Sequence, residues 1–113
     1  MSIIPKDLVG YAEVLLKPDS CEIQCRNVIG RAYYGAFLTA REAARKSSGE
    51  SFSGASPHKQ LVEYYKTKNR KVSNMLDTLR ISRVDADYKI NRAFDYFCAN
   101  SCCKRAKKII KEL

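Results

Sequence analysis

Apolar positions recur with a period near 3.6 residues along most of the chain, and no segment alternates apolar and polar residues as a half-buried strand would. Pro5 suits the first turn of a helix, and Leu8, Tyr11, Ala12, Leu15 and Leu16 follow at helical spacing until Pro18 stops the run. Asp19 or Ser20 can cap a second helix, predicted over Cys21–Lys46, with Ile29, Tyr33, Ala36, Phe37, Ala40 and Ala44 as its stripe. Arg26, Arg31, Arg41 and Arg45 fall off that stripe. Gly30 and Gly35 lie inside the helix, where each costs about 1 kcal/mol against alanine, so they point to close approach by another helix.

Ser47–Ala55 reads as a flexible loop, after which Ser56 is placed to cap a third helix with Pro57 at its first position. His58, Leu61, Val62 and Tyr65 share a face there, and Lys66–Lys71 reads as a basic connection. Val72, Met75, Leu76 and Leu79 mark a fourth helix, expected to end near Val84 because Asp85 and Asp87 are good capping residues. A last helix is expected from near Tyr88 to the end, with Phe94, Phe97, Cys98, Cys102, Ala106, Ile109 and Leu113 as its stripe. The pattern predicts one all-α domain over 1–113, a bundle of about five helices with mostly antiparallel neighbours.

Composition adds a net charge of +9 on 113 residues. That excess points to an anionic partner such as nucleic acid or an acidic protein, with solubility as the plainer reading. No apolar run approaches the roughly 20 residues of a membrane span, and the N-terminal segment lacks the pattern of a signal peptide. A cytoplasmic protein that does not engage membranes is expected. Its five cysteines then read as free thiols. Cys21/Cys25 and Cys98/Cys102 are each one helical turn apart, but this is not the spacing of a zinc ribbon, so neither a metal nor a cofactor is expected.

Two segments carry a family resemblance. Arg26–Phe37, reading RNVIGRAYYGAF, resembles the HEPN-domain helix with an Arg-Ala-Tyr-Tyr-Ala-x-Phe signature, and Leu79–Tyr88, reading LRISRVDADY, resembles the family's Leu-Arg-x-x-Arg-x-x-Ala-Asp-Tyr segment. His58, opening a helix after a Ser/Gly loop, matches a further feature, and the likeness spans roughly Leu8 to Leu113. The resemblance implies an all-helical protein of a prokaryotic defence or toxin–antitoxin system and, together with Gly30 and Gly35, a two-fold homodimer. Many members are metal-independent ribonucleases, with an Arg-x4-6-His motif near the start of the last long helix. Here Arg83 is followed, after four residues, by Tyr88. A neutral phenol is a poor general base at pH 7.

The resemblance therefore implies an RNA-associated protein, either a ribonuclease or its catalytically reduced relative. The alternative is a non-enzymatic module that dimerises or holds a protein partner, an antitoxin or an effector subunit. Arg83, Tyr88 and His58 are the catalytic candidates. Arg80, Arg83, Lys104, Arg105, Lys107 and Lys108 are the candidates for nucleic-acid contact. Each has a plainer reading. Arg80 and Arg83 form either a phosphate site or a structural ion pair with Asp85 or Asp87, and the helix start expected there would add unsatisfied N–H donors. His58 either titrates in a site or packs at a helix start. The lysines from Lys104 to Lys111 either track phosphates or form a solvated face. Tyr34 and Tyr64, off the main stripes, are the tyrosines placed for an interface.

Overall fold

A computed structural model describes residues 4–113; Met1–Ile3, part of the N-terminal segment read above, lie outside the described residues. Five helices follow in order: α1 (Lys6–Leu15), α2 (Glu22–Ser48), α3 (Pro57–Lys68), α4 (Arg70–Tyr88) and α5 (Tyr96–Glu112). No strand occurs among the described residues. No helix among them is long and apolar enough to cross a membrane.

Helix α2 is the hub. It buries Cys25, Val28, Ile29, Ala32, Tyr33, Ala36, Phe37, Ala40 and Ala44 along its length and packs against all four other helices. The mostly small residues on this stripe let neighbours approach its axis. At Gly35 the approach is closest, because a Cβ there would lie 2.5 Å from Val9 Cγ2 and 3.0 Å from the Val9 backbone nitrogen. Gly35 therefore serves packing within the chain, whereas Gly30 faces open space.

The contacts fix the helix directions. Gly35 meets Val9 at one end of α1 and Gln24 donates to the Leu15 carbonyl at the other, so α1 and α2 are antiparallel. Ser73 Oγ donates to the Val62 carbonyl while His58 faces Asp77, so α3 and α4 are antiparallel too. Asn69 and Lys71 reach Glu112 at the far end of α5, and Cys102 lies beside Ser82, giving a third such pair. The α2–α3 pair differs: Tyr33 bonds His58 and Tyr65 donates to the Ala40 carbonyl, so these helices run the same way. The connection between them must run back along the bundle. Buried Phe52, set edge-on to Tyr64, and Gln60, donating to the Ser53 and Ala55 carbonyls, hold it down. The segment read as a flexible loop is thus an anchored strap that begins only after Ser48, where Gly49 adopts a left-handed φ of 78°.

The boundaries around α4 depart most from expectation. Asn69 alone separates α3 from α4, and its side chain caps α4 by accepting from Val72 N. Helix α4 does not end near Val84 but runs through Tyr88. Asp85 points inward, 8% exposed, and binds Arg92 at 2.7 Å and Lys89 at 3.3 Å, while Asp87 pairs with Arg83 one turn back. Both carboxylates are thus engaged by cations and neither caps a helix. The cap of α5 is Asp95, which accepts from Cys98 N, so α5 begins at Tyr96 rather than near Tyr88. Its core face is Ala99, Cys102, Cys103, Ala106 and Ile109; Phe97 is 76% exposed and Leu113 is exposed at the end. Ser56 precedes α3 as expected but makes no side-chain capping bond, because its own φ is 54°.

Candidate phosphate-binding site at the α3–α4 cleft

Pro57 starts α3 and places His58 in its first turn, facing α2 on one side and α4 on the other. The His58 Nδ1 atom lies 2.8 Å from the Tyr33 hydroxyl, and its ring stacks near Phe37. Nε2 lies 3.6 Å from an Asp77 oxygen, too long for a good hydrogen bond, and is buried without a partner. A phenol can donate or accept, so Tyr33 satisfies Nδ1 in either tautomer. Nε2 is then either a donor toward Asp77 or a free lone pair.

Burial lowers the His58 pKa, Arg80 lowers it further, and Asp77 opposes both. Burial pushes the Tyr33 hydroxyl up to about 12, against the pull of Arg83 and Arg80, so it stays protonated. A histidine held neutral in the fold but free to protonate when unfolded costs stability as the pH drops. Stability should therefore be full above the unfolded value near 6.5 and fall as the pH drops below it. Melting temperatures between pH 7.5 and 5 should decline more steeply for the native chain than for His58→Gln. Parallel curves would remove the burial assignment.

The structure gathers three of the sequence candidates around one side chain. His58 hydrogen-bonds Tyr33, Arg83 lies 5.8 Å from the Tyr33 ring centre and 5.5 Å from that of Tyr34, and Arg80 stands close enough to depress His58. The cleft between α3 and α4 has a volume of about 500 Å³ and is lined by His58, Lys59, Lys66, Asp77 and Arg80 among others. Arg83 faces a neighbouring groove with Tyr34, Gly30 and Arg31. The helix-terminal donors expected beside Arg80 and Arg83 are absent, because α4 is continuous there and Asp95 occupies the start of α5.

The other candidates lie elsewhere. Tyr88 is 73% exposed in the last turn of α4, with no hydrogen bond to His58 or Arg83 among the described residues. Lys104, Lys107 and Lys108 line a groove between α1 and α5, and Arg105 lies beside Cys102 instead. Tyr34 is exposed beneath Arg83, whereas Tyr64 is half-buried between Phe52 and Tyr65. All five cysteines are free. Burial raises the thiol pKa values of Cys25, Cys102 and Cys103, the last to about 12, so these act as small core side chains. Among the described residues no cluster of three His, Cys, Asp or Glu side chains is set to hold a metal.

Arg26, at the head of the RNVIGRAYYGAF segment, has a role that helical periodicity does not reveal. Its guanidinium donates to the carbonyls of Ala86 at 2.7 Å, Lys89 at 3.0 Å and Arg92 at 2.7 Å, and to Glu22 at 2.9 Å. It also lies 4.7 Å from the centre of the Phe94 ring. It therefore ties α2 to the end of α4 and to the α4–α5 connection, 60 to 66 residues away in sequence. No family model, curated protein or solved structure matches the chain.

Proposed function

We propose that the protein is an RNA-associated domain of the HEPN type, working in a prokaryotic defence or toxin–antitoxin setting, with the cleft between α3 and α4 as its phosphate-contacting site. The observation that carries this reading is the Tyr33–His58 hydrogen bond, which sets the chain's one histidine beside Arg80 and one aromatic ring from Arg83. Neutral His58 at pH 7 has the protonation state of a base, and guanidinium groups match phosphate geometry. In a metal-independent cleavage the base takes the proton of the ribose 2′-hydroxyl, the oxygen attacks the adjacent phosphorus, and the P–O5′ bond breaks, the 5′-oxygen taking a proton from water and leaving a 2′,3′-cyclic phosphate. His58 Nε2, buried beside Asp77, is the atom for the first step once a shift of the Asp77 side chain exposes it, in place of a base at Tyr88.

The non-enzymatic reading has its own support. Nε2 is buried, Arg83 is already paired with Asp87 at 3.1 Å, and Tyr88 stands apart. Under this reading the domain dimerises or holds a protein partner, and the open face of α2 at Gly30 is the surface left for a second copy.

Incubating the protein with end-labelled RNA in excess EDTA decides between them. Cleavage to cyclic-phosphate ends, reduced roughly 100-fold or more in His58→Asn and in Arg80→Ala, supports the enzyme. RNA binding without cleavage, weakened in Arg80→Ala with a flatter salt dependence, supports the reduced relative. No binding at high protein concentration ends the RNA reading. Tyr88→His, which restores the Arg-x4-His pattern, should give no added cleavage, because Tyr88 is exposed in the last turn of α4 and, among the described residues, makes no hydrogen bond to Tyr33 or His58.

A further inference from the structure

Helices α1 and α5 are antiparallel, with Glu13 pairing Lys107 at 3.2 Å, and leave between them the open groove lined by all four α5 lysines, Lys104, Lys107, Lys108 and Lys111. Its volume is about 850 Å³. The floor is apolar, made by Val9, Ile110, the flank of Tyr11 and Gly10, and exposed Val14 continues the Gly10 row by one turn. The rim is cationic. Lys104, Lys108 and Lys111 recur at i, i+4 and i+7 and so form a single stripe on α5, with Lys6 across the groove. Among the described residues none of these four has an ion-pair partner; Asp7 accepts from the Ile4 backbone instead. A Cβ added at Gly10 would meet nothing within 4 Å, so the α1 wall of the groove is open there to an incoming backbone.

From this placement we infer that the groove between α1 and α5 receives an acidic amphipathic helix of a partner protein. Apolar residues of the guest lie along Gly10 and Val14, and carboxylates spaced by one helical turn meet the Lys104–Lys108–Lys111 stripe. Grooves of this kind read a helix by its i, i+3/i+4 and i+7 anchors. An opposing row of like period supplies register and orientation as well as attraction. An RNA strand would satisfy the lysines but would lay charged phosphates over the apolar floor, so the apolar–cationic combination favours a protein helix. The inference is independent of the α3–α4 cleft, which shares no lining residue with this groove.

The probe is a 16-residue fluorescent peptide with leucines on one face and glutamates on both flanks, followed by anisotropy. A charge-swapped peptide with lysines for glutamates and a 12-nucleotide oligouridine serve as comparators. The glutamate peptide should bind and the lysine peptide should not. Lys104→Glu with Lys108→Glu should weaken binding by roughly tenfold, with a reduced salt dependence. Gly10→Phe should abolish it by filling the groove, while the circular dichroism melt of each variant confirms a folded chain. Failure of the glutamate peptide to bind would overturn the inference, as would unchanged binding in Gly10→Phe. So would preferential capture of oligouridine by the same lysines, which would assign the groove to nucleic acid.

Discussion

Replacing Arg26 with alanine should destabilise the fold by roughly 1–3 kcal/mol, lowering the melting temperature on the order of 10 °C. The Arg26 side chain is only 16% exposed and serves carbonyls at the end of α4 and in the turn beyond it, of which the helix leaves that of Ala86 without a donor. Removing it orphans the part-buried Ala86 carbonyl, which costs more than the average bond contributes, and hands the exposed Lys89 and Arg92 carbonyls back to water. The Glu22 pair is a minor part, since an exposed i,i+4 ion pair is worth about 0.3–0.5 kcal/mol. Glu22→Gln should therefore be nearly silent. Arg26→Lys should recover little, because an ammonium cannot reproduce the planar fork that reaches Ala86 and Arg92 together. Urea melts on the three variants check this order. A Glu22→Gln loss equal to that of Arg26→Ala would place the energy in the ion pair.

The all-helical class and the five helices were legible because the apolar stripes are long, and Pro18 and Pro57 mark boundaries by removing a backbone donor. The end of α4 was not. Asp85 and Asp87 are chemically good caps, and only the position of Arg92, seven residues beyond Asp85, reveals that one faces inward as an ion-pair partner. Tertiary pairing overrode a local preference there, and with it went the helix start expected beside Arg80 and Arg83. The reversed course of the strap was hidden for a similar reason. Phe52 is a single apolar residue in a Ser/Gly-rich segment, and its burial depends on where Tyr64 stands. Of the site, the residue types were visible but not their grouping. Tyr33 had the signature of a core residue, and it is one, yet its hydroxyl is what binds His58 beside the arginines. A tyrosine and a histidine 25 residues apart on different helices leave no local pattern.

The two glycines of α2 should respond to the same substitution with opposite signs. At Gly35 an added methyl must displace Val9, including its backbone nitrogen, so α1 has to shift along or away from α2. Overpacking of this kind costs about 1–3 kcal/mol, offset in part by the gain of about 1 kcal/mol in helix propensity. Gly35→Ala should therefore be destabilising, and Gly35→Leu, whose larger side chain cannot be absorbed by rotating one valine, should cost upwards of ~3 kcal/mol and strip α1 from the bundle. Gly30 meets no atom within 4 Å of an added Cβ, so Gly30→Ala keeps the propensity gain and should raise stability by up to ~1 kcal/mol. Proteolysis beside thermal melts separates the outcomes, since detaching α1 exposes Lys6 to trypsin and Glu13 to a Glu-specific protease before global unfolding. The oligomeric state adds a further reading: if two copies pack through the open face at Gly30, light scattering should show Gly30→Leu as a monomer of undiminished melting temperature. A destabilised Gly30→Ala would mean instead that this face is already filled within one chain.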